Sequence, residues 1–185
     1  ATVTSHTFGA ADEFSGVACR RAGATSNTSA LDGPQAYYKW AATQDQWYKV
    51  TLTTSFSAYG YIFTNAACTE AAINADCQSA GTAGVAFGSI SSGDTEAVYF
   101  KAPATGDVYV AVDSTSPTYN GPFTLKVEAV TAPTNGTCAA PTALSFLNGK
   151  AMATGWMGPF TTPDEFSGVS CGGSSTTTLL DGPQA

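Results

Sequence analysis

Apolar and polar residues alternate with a period of two along much of the chain. Tyr48, Val50 and Leu52 alternate with Lys49, Thr51 and Thr53, and Phe123, Leu125 and Val127 with Thr124 and Lys126. Val108, Val110 and Val112 alternate in the same way with Tyr109 and Ala111. Such a pattern puts one face of a strand into a core and leaves the other wetter. Tyr59–Phe63 and Ala97–Lys101 read as further strands. Turn-forming runs separate them: Ser91 to Asp94, Pro103 to Asp107 and Ser116 to Gly121. No segment carries a sustained helical period. Many short strands with turns at these spacings predict an all-β fold, an antiparallel β-sandwich.

The chain also repeats itself. Asp12 to Cys19 (DEFSGVAC) recurs as Asp164 to Cys171 (DEFSGVSC) at an offset of 152, with seven of eight residues identical. Leu31 to Ala36 (LDGPQA) recurs in full as Leu180 to Ala185, at an offset of 149. At the first offset Ala1-Thr2 also match Ala153-Thr154, and Phe8 matches Phe160. The length difference places Arg20 to Ser29 in an exposed loop, where insertions are tolerated. A period near 150 residues is a whole-domain repeat rather than a solenoid unit. The expected organisation is a sandwich repeat over 1–130 lacking its first strand segment, a linker over 131–137 (TAPTNGT), and the incomplete opening of a second copy over 138–185.

Composition narrows the classes of function. Of the 185 residues, 43% are hydrophobic, enough for a packed core, and only 11% are charged, well below the usual quarter. Seven Lys and Arg against fourteen Asp and Glu give a net charge of −7, with no basic stripe to meet nucleic acid. No apolar run is long enough to span a membrane. The start, ATVTSHTFGA, has neither the basic nor the apolar region of a secretion signal, so the chain is read as mature or as a window of something longer. Few lysines, many Ser and Thr, and five cysteines without a CxxC pair point to an extracellular or cell-surface setting.

Three stretches carry a resemblance: DGPQAYYKW, WYKVTLTTSF and GDVYVAVDSTSPTYNGPFTLKVE. Together they resemble the bacterial pre-peptidase C-terminal (PPC) domain and its relatives in cell-surface repeat proteins. The matching residues are Gly33, Pro34 and Tyr37, then Gly106, Tyr109 and Asp113, then Gly121, Leu125 and Val127. The resemblance covers Asp12 to Glu128 and the opening of the second copy from Cys138. It implies a jelly-roll-like β-sandwich, often in tandem, that is non-catalytic and in some members binds calcium or a matrix polymer. Where those relatives carry an acidic residue after Gly-Pro, this chain has Gln35 and Gln184, which weakens a calcium site there.

The cysteine spacing predicts two bridges. Cys68 and Cys77 enclose a short loop, and Cys138 and Cys171 frame the opening of copy two. Cys19, the counterpart of Cys171, is left without a partner. It is read as bonded to another molecule or to an upstream segment, or as a buried free thiol.

Candidate chemistry is sparse, and no catalytic site is expected. The single histidine, His6, cannot build a His-rich zinc site, and no GxSxG or HExxH surrounds a nucleophile. Asp12, Glu13, Asp164 and Glu165 read as loop acids and as the candidate ligands should calcium bind; no other cofactor is expected. Asp32 and Asp181 sit in Asp-Gly-Pro turns. Tyr37, Tyr38, Trp40, Trp47, Tyr48, Tyr59 and Tyr61 serve either a core or a stacking platform for sugar rings. Asn27 and Asn135 lie in glycosylation sequons.

Two functions follow as expectations. The first is a non-enzymatic extracellular structural protein: a tandem repeat forming a surface fibre, filament or adhesin stalk. Its partners are adjacent repeats or copies of itself, joined head to tail by strand complementation, with Cys138 bridging Cys19 of the next molecule. The alternative is an accessory module of a secreted hydrolase that binds a polysaccharide or matrix polymer, with calcium.

Overall fold

The computed structural model describes residues 1–19, 30–78, 85–86, 90–131, 141 and 143–153. The chain divides into two compact units, Ala1–Val130 and Thr131–Ala185.

The first unit is built of strands β1 (Thr2–His6), β2 (Ala36–Ala42), β3 (Trp47–Thr54), β4 (Tyr59–Phe63), β5 (Val85–Ala86), β6 (Thr95–Lys101), β7 (Gly106–Asp113) and β8 (Pro122–Val130). Among the described residues one helix, α1 (Glu70–Gln78), lies between β4 and β5. The strands form two four-stranded antiparallel sheets, ordered β1-β8-β3-β6 and β2-β7-β4-β5. The all-β expectation holds, with α1 as the exception.

Alternation decides what lies between the sheets. From the first sheet Tyr48, Val50, Leu52, Val98, Phe100, Phe123 and Leu125 point inward. From the second come Ile62, Val108, Val110 and Val112, and the partly buried Tyr38 and Trp40 pack against the same core. Tilted and edge-on ring contacts of Trp40 with Tyr48 and Phe100 close one end of it.

The other face of β7 departs from the expected wet side. Ala111 and Asp113 are fully buried. The outer face of this sheet carries a second apolar layer, in which Tyr61, Phe63 and Ala111 meet Val17, Cys19, Leu31, Ile73 and Cys77. Its cover consists of α1 and of the two segments whose sequences recur later in the chain.

Helix α1 escapes the sequence reading because it is short and weakly amphipathic. Its starting turn is capped by Thr69, whose hydroxyl accepts from the amide of Ala72 at 3.3 Å and whose carbonyl accepts from Ile73 at 2.9 Å. Ile73 and Cys77, four residues apart, share the buried face.

In the second unit Leu147 and Lys150 form a bridge around Asn148-Gly149, both at positive φ (52° and 73°), the geometry of a two-residue hairpin turn.

Leu52 is fully buried on β3, between β8 and β6. Leu52→Ala removes its contacts with both sheets and should lower stability by about 2–5 kcal/mol, read from urea melts.

Candidate functional site

The repeated residues of the first copy converge at one end of the second sheet. Val17 and Leu31 form an antiparallel bridge, in which Leu31 donates its amide to the Val17 carbonyl at 2.9 Å. Both side chains are buried in the outer layer. The helix holds the same segment from the side. Ala18 donates its amide to Asn74 Oδ1 at 2.9 Å, and Gly16 donates to Glu70 Oε2 at 3.0 Å. The phrase DEFSGVAC is thereby fastened as a lid over β4 and β7.

Gln35 is the centre of the fastening. It is 5% exposed. Its Oε1 accepts from the amides of Glu13 (3.0 Å) and Phe14 (3.1 Å) and from the Tyr37 hydroxyl (2.8 Å). Its Nε2 donates to the Phe14 carbonyl (2.6 Å), to Asp113 Oδ2 (3.1 Å) and to Asp12 Oδ1 (3.3 Å). A carboxylate here would accept from the amides but would have no proton for Phe14 or Asp113. Glutamine fits because the site needs both a donor and an acceptor.

Asp113 lies beneath, fully buried. Burial is the main reason its carboxyl is pushed up to about 7, and the charge of Asp12 adds to this. Hydrogen bonds from the Ser114 amide (2.6 Å), Gln35 and Tyr61 act the other way. Asp12 is raised as well, by partial desolvation first and then by a hydrogen bond with the Asp32 carboxyl and its charge. Tyr37 and Tyr61 share a contact of 3.3 Å between hydroxyls, and burial raises both phenols. Gly33 is required for close approach. A Cβ there would strike Ser114 Oγ and come within 3.0 Å of the carbonyls of Ser114 and Ser116.

The cysteines correct the expected pairing. Cys19 is bonded to Cys77, with Cα atoms 4.9 Å apart, and Cys68 is free. The Cys68–Cys77 bridge fails because the spacer is α1. Seven helical steps separate the ends by roughly 10 Å, beyond the reach of a disulfide. Cys19, expected to lack a partner, has one within the same unit, which removes it from any bridge to Cys138 of another molecule. Closing a separation of 58 residues should contribute about 4 kcal/mol on the chain-entropy account. Cys138 and Cys171 lie outside the described residues, as do Asp164, Glu165, Asp181, Asn27 and Asn135.

The remaining candidates are scattered or occupied. Asp12 is held by Gln35 and Asp32, while the Glu13 amide is used by Gln35. Among the described residues no group of three or more His, Cys, Asp or Glu side chains is arranged to hold a metal ion. Ser114 Oγ donates toward the carbonyls of Ser116 and Tyr119, both at 2.9 Å, and is not poised beside a base. His6 is exposed on β1. The seven aromatic residues proposed as a stacking row are all buried or half-buried, and they pack into the two apolar layers or along β3. No helix among the described residues is long and apolar enough to cross a membrane.

Comparison with known proteins gives no match: no protein-family model, no curated protein and no solved structure corresponds to this chain.

The folded-state value of Asp113 lies above its ordinary 3.8, so the folded chain holds this proton more tightly than the unfolded one. Its stabilising contribution is complete below about 4 and is lost as pH rises through about 7. Asp113→Asn keeps the acceptor for Ser114 and removes the charge. Melts at pH 5 and pH 8 should show the wild type losing stability at the higher pH and the variant losing less; equal losses would contradict this account.

Proposed function

We propose that this chain is a non-enzymatic extracellular structural protein, a tandem jelly-roll repeat of a surface fibre, filament or adhesin stalk. One observation carries the reading. The residues that recur between the copies are those that build the lid in the first copy: Asp12, Glu13, Phe14, Gly16, Val17, Cys19, Leu31, Gly33 and Gln35. They serve packing, hydrogen bonding and cross-linking. A repeated lid argues for a repeated scaffold.

The strand order supports the jelly-roll form, since β1-β8-β3-β6 facing β2-β7-β4-β5 is that of two interlocked Greek keys. The PPC-like relationship is proposed on the same ground. Its motif residues fall at structural positions: Gly33 against Ser114, Asp113 beneath Gln35, and Leu125 and Val127 in or against the core. The Cys19–Cys77 bridge favours an oxidising, extracellular setting. The partners in this reading are adjacent repeats or further copies of the chain. The accessory-module alternative draws on an exposed aromatic row, whereas those rings are buried or half-buried here.

Immunogold labelling of intact producing cells, with the reduced mass of the labelled species, tests the reading. The expected result is label along surface fibres. Label confined to the cell interior, or to a secreted polypeptide that also carries a hydrolase, would overturn it.

A further inference from the structure

Six large apolar side chains are exposed among the described residues, and they fall into two groups. Phe8 and Tyr119 belong to the first unit; Leu144, Phe146, Leu147 and Met152 belong to the second. Exposed apolar groups of this kind mark contact surfaces when polar residues rim them.

The first group stands where β1 ends and β8 begins, with His6 paired to Pro122. Phe8, 74% exposed, occupies the corner of a turn that Ala10 closes by donating its amide to the Thr7 carbonyl at 3.0 Å. Gly9 in that turn has a φ of 76°, a conformation that suits glycine. Buried Thr7 ties the turn to the loop that carries Tyr119. Its amide donates to the Gly121 carbonyl at 3.1 Å, and its hydroxyl accepts from the Gly121 amide at 3.3 Å. Both rings are thus carried at one end of the sandwich on backbone that is already fixed. Phe8 is also the one residue between Val3 and Ala11 that recurs at the offset of 152, as Phe160. An exposed ring adds little to the packing of its own unit, so its recurrence points to a contact outside it.

Exposed acids share this end: Asp12, Asp32 and Asp94. Asp32 donates its amide to the Ser114 carbonyl (3.0 Å), at the root of the Tyr119 loop. The Asp94 carbonyl accepts from Thr54 (3.2 Å), whose neighbour Ser55 donates to the Pro122 carbonyl (3.1 Å). The described lysines of the unit are engaged elsewhere. Lys39, Lys101 and Lys126 form ion pairs with Asp107, Asp45 and Glu128, and Lys49 lies over the Tyr99 ring.

The second group surrounds the hairpin turn at Asn148-Gly149. Leu147 and Lys150 face each other across its bridge, so their side chains stand on the same side. Leu147 is 77% exposed. Lys150, also exposed, is the one charged residue between Ala143 and Ala153, and it has no ion pair among the described residues. The hairpin thus offers an apolar side chain beside a cation, and the first unit offers apolar rings beside carboxylates.

We propose that the end of the first unit carrying Phe8 and Tyr119 docks the hairpin arm around Leu147 and Lys150 of a second copy of this chain. The proposal rests on the repeat reading above and names its joint. β8 carries the chain away from this end, so whatever follows Val130 starts from the far end of the sandwich. Patch and arm of different copies then join head to tail, and each pair keeps a free patch and a free arm.

Sedimentation of the intact chain over a concentration series tests it, with variants whose altered side chains are all exposed. Phe8→Ser removes the ring of the patch, and Leu147→Ser removes the apolar anchor of the arm. Lys150→Glu sets an acid against the acidic end. The unmodified chain should self-associate, and each variant should do so at least about tenfold more weakly. An equimolar mixture of Phe8→Ser and Leu147→Ser should form heterodimers and nothing larger, because one keeps its arm and the other its patch. Association that survives any of these substitutions in a variant with an unchanged melt overturns the docking, as does a mixture that stays monomeric. A wild-type chain that stays monomeric overturns it too, while leaving the tandem-repeat reading to the labelling result.

Discussion

The first unit depends on burying β7 on both faces. One face of the strand, with Val108, Val110 and Val112, closes the sandwich core, which the opposing sheet can satisfy. The other presents Tyr109, Ala111 and Asp113, and nothing in a two-sheet sandwich covers it. The chain meets this need with a lid of irregular backbone and one short helix. Irregular backbone brings unpaired amides and carbonyls, which are costly unless they find partners. Gln35 answers that cost for Glu13 and Phe14, Glu70 for Gly16, and Asn74 for Ala18. The Cys19–Cys77 bridge then ties lid to helix through the chain's own covalent structure.

This view turns the repeated phrase from a puzzle into a requirement. A lid needs a donor and acceptor at Gln35, a close approach at Gly33, two apolar anchors at Val17 and Leu31, and one cysteine. The same residues recur in sequence over 164–171 and 180–185. The buried polar group beneath, Asp113, is tuned by the same lid: it is desolvated by the cover yet bonded by Ser114 and Gln35. A buried carboxyl of this kind often signals catalysis. Here its neighbours are a glutamine, two phenols and a backbone amide, hydrogen-bonded to it or to one another.

The strands of the sandwich were legible wherever alternation ran for five or more residues, as in β3, β7 and β8, because the core imposes a period of two. β1 is as regular in its exposure but has a single apolar residue, Val3, and so carries no hydrophobic signal. Helix α1 was missed because only Ile73 and Cys77 are fully buried on it, too few to show a helical period. That miss produced the wrong disulfide, since a loop would have brought Cys68 to Cys77 and a helix holds them apart. The lid was visible as a repeat but not as a lid. Its partners Glu70, Asn74 and Asp113 lie between 54 and 78 residues away from the groups they bind, and no local pattern announces them.

The disulfide map is the most direct test of the central claim that the repeated phrase is a lid anchored to α1. Free thiols would be alkylated in the unreduced protein, and its peptides then mapped by mass spectrometry. The account predicts a Cys19–Cys77 cross-linked peptide and an alkylated Cys68. A Cys68–Cys77 cross-link, with Cys19 alkylated or bound to another molecule, would contradict it.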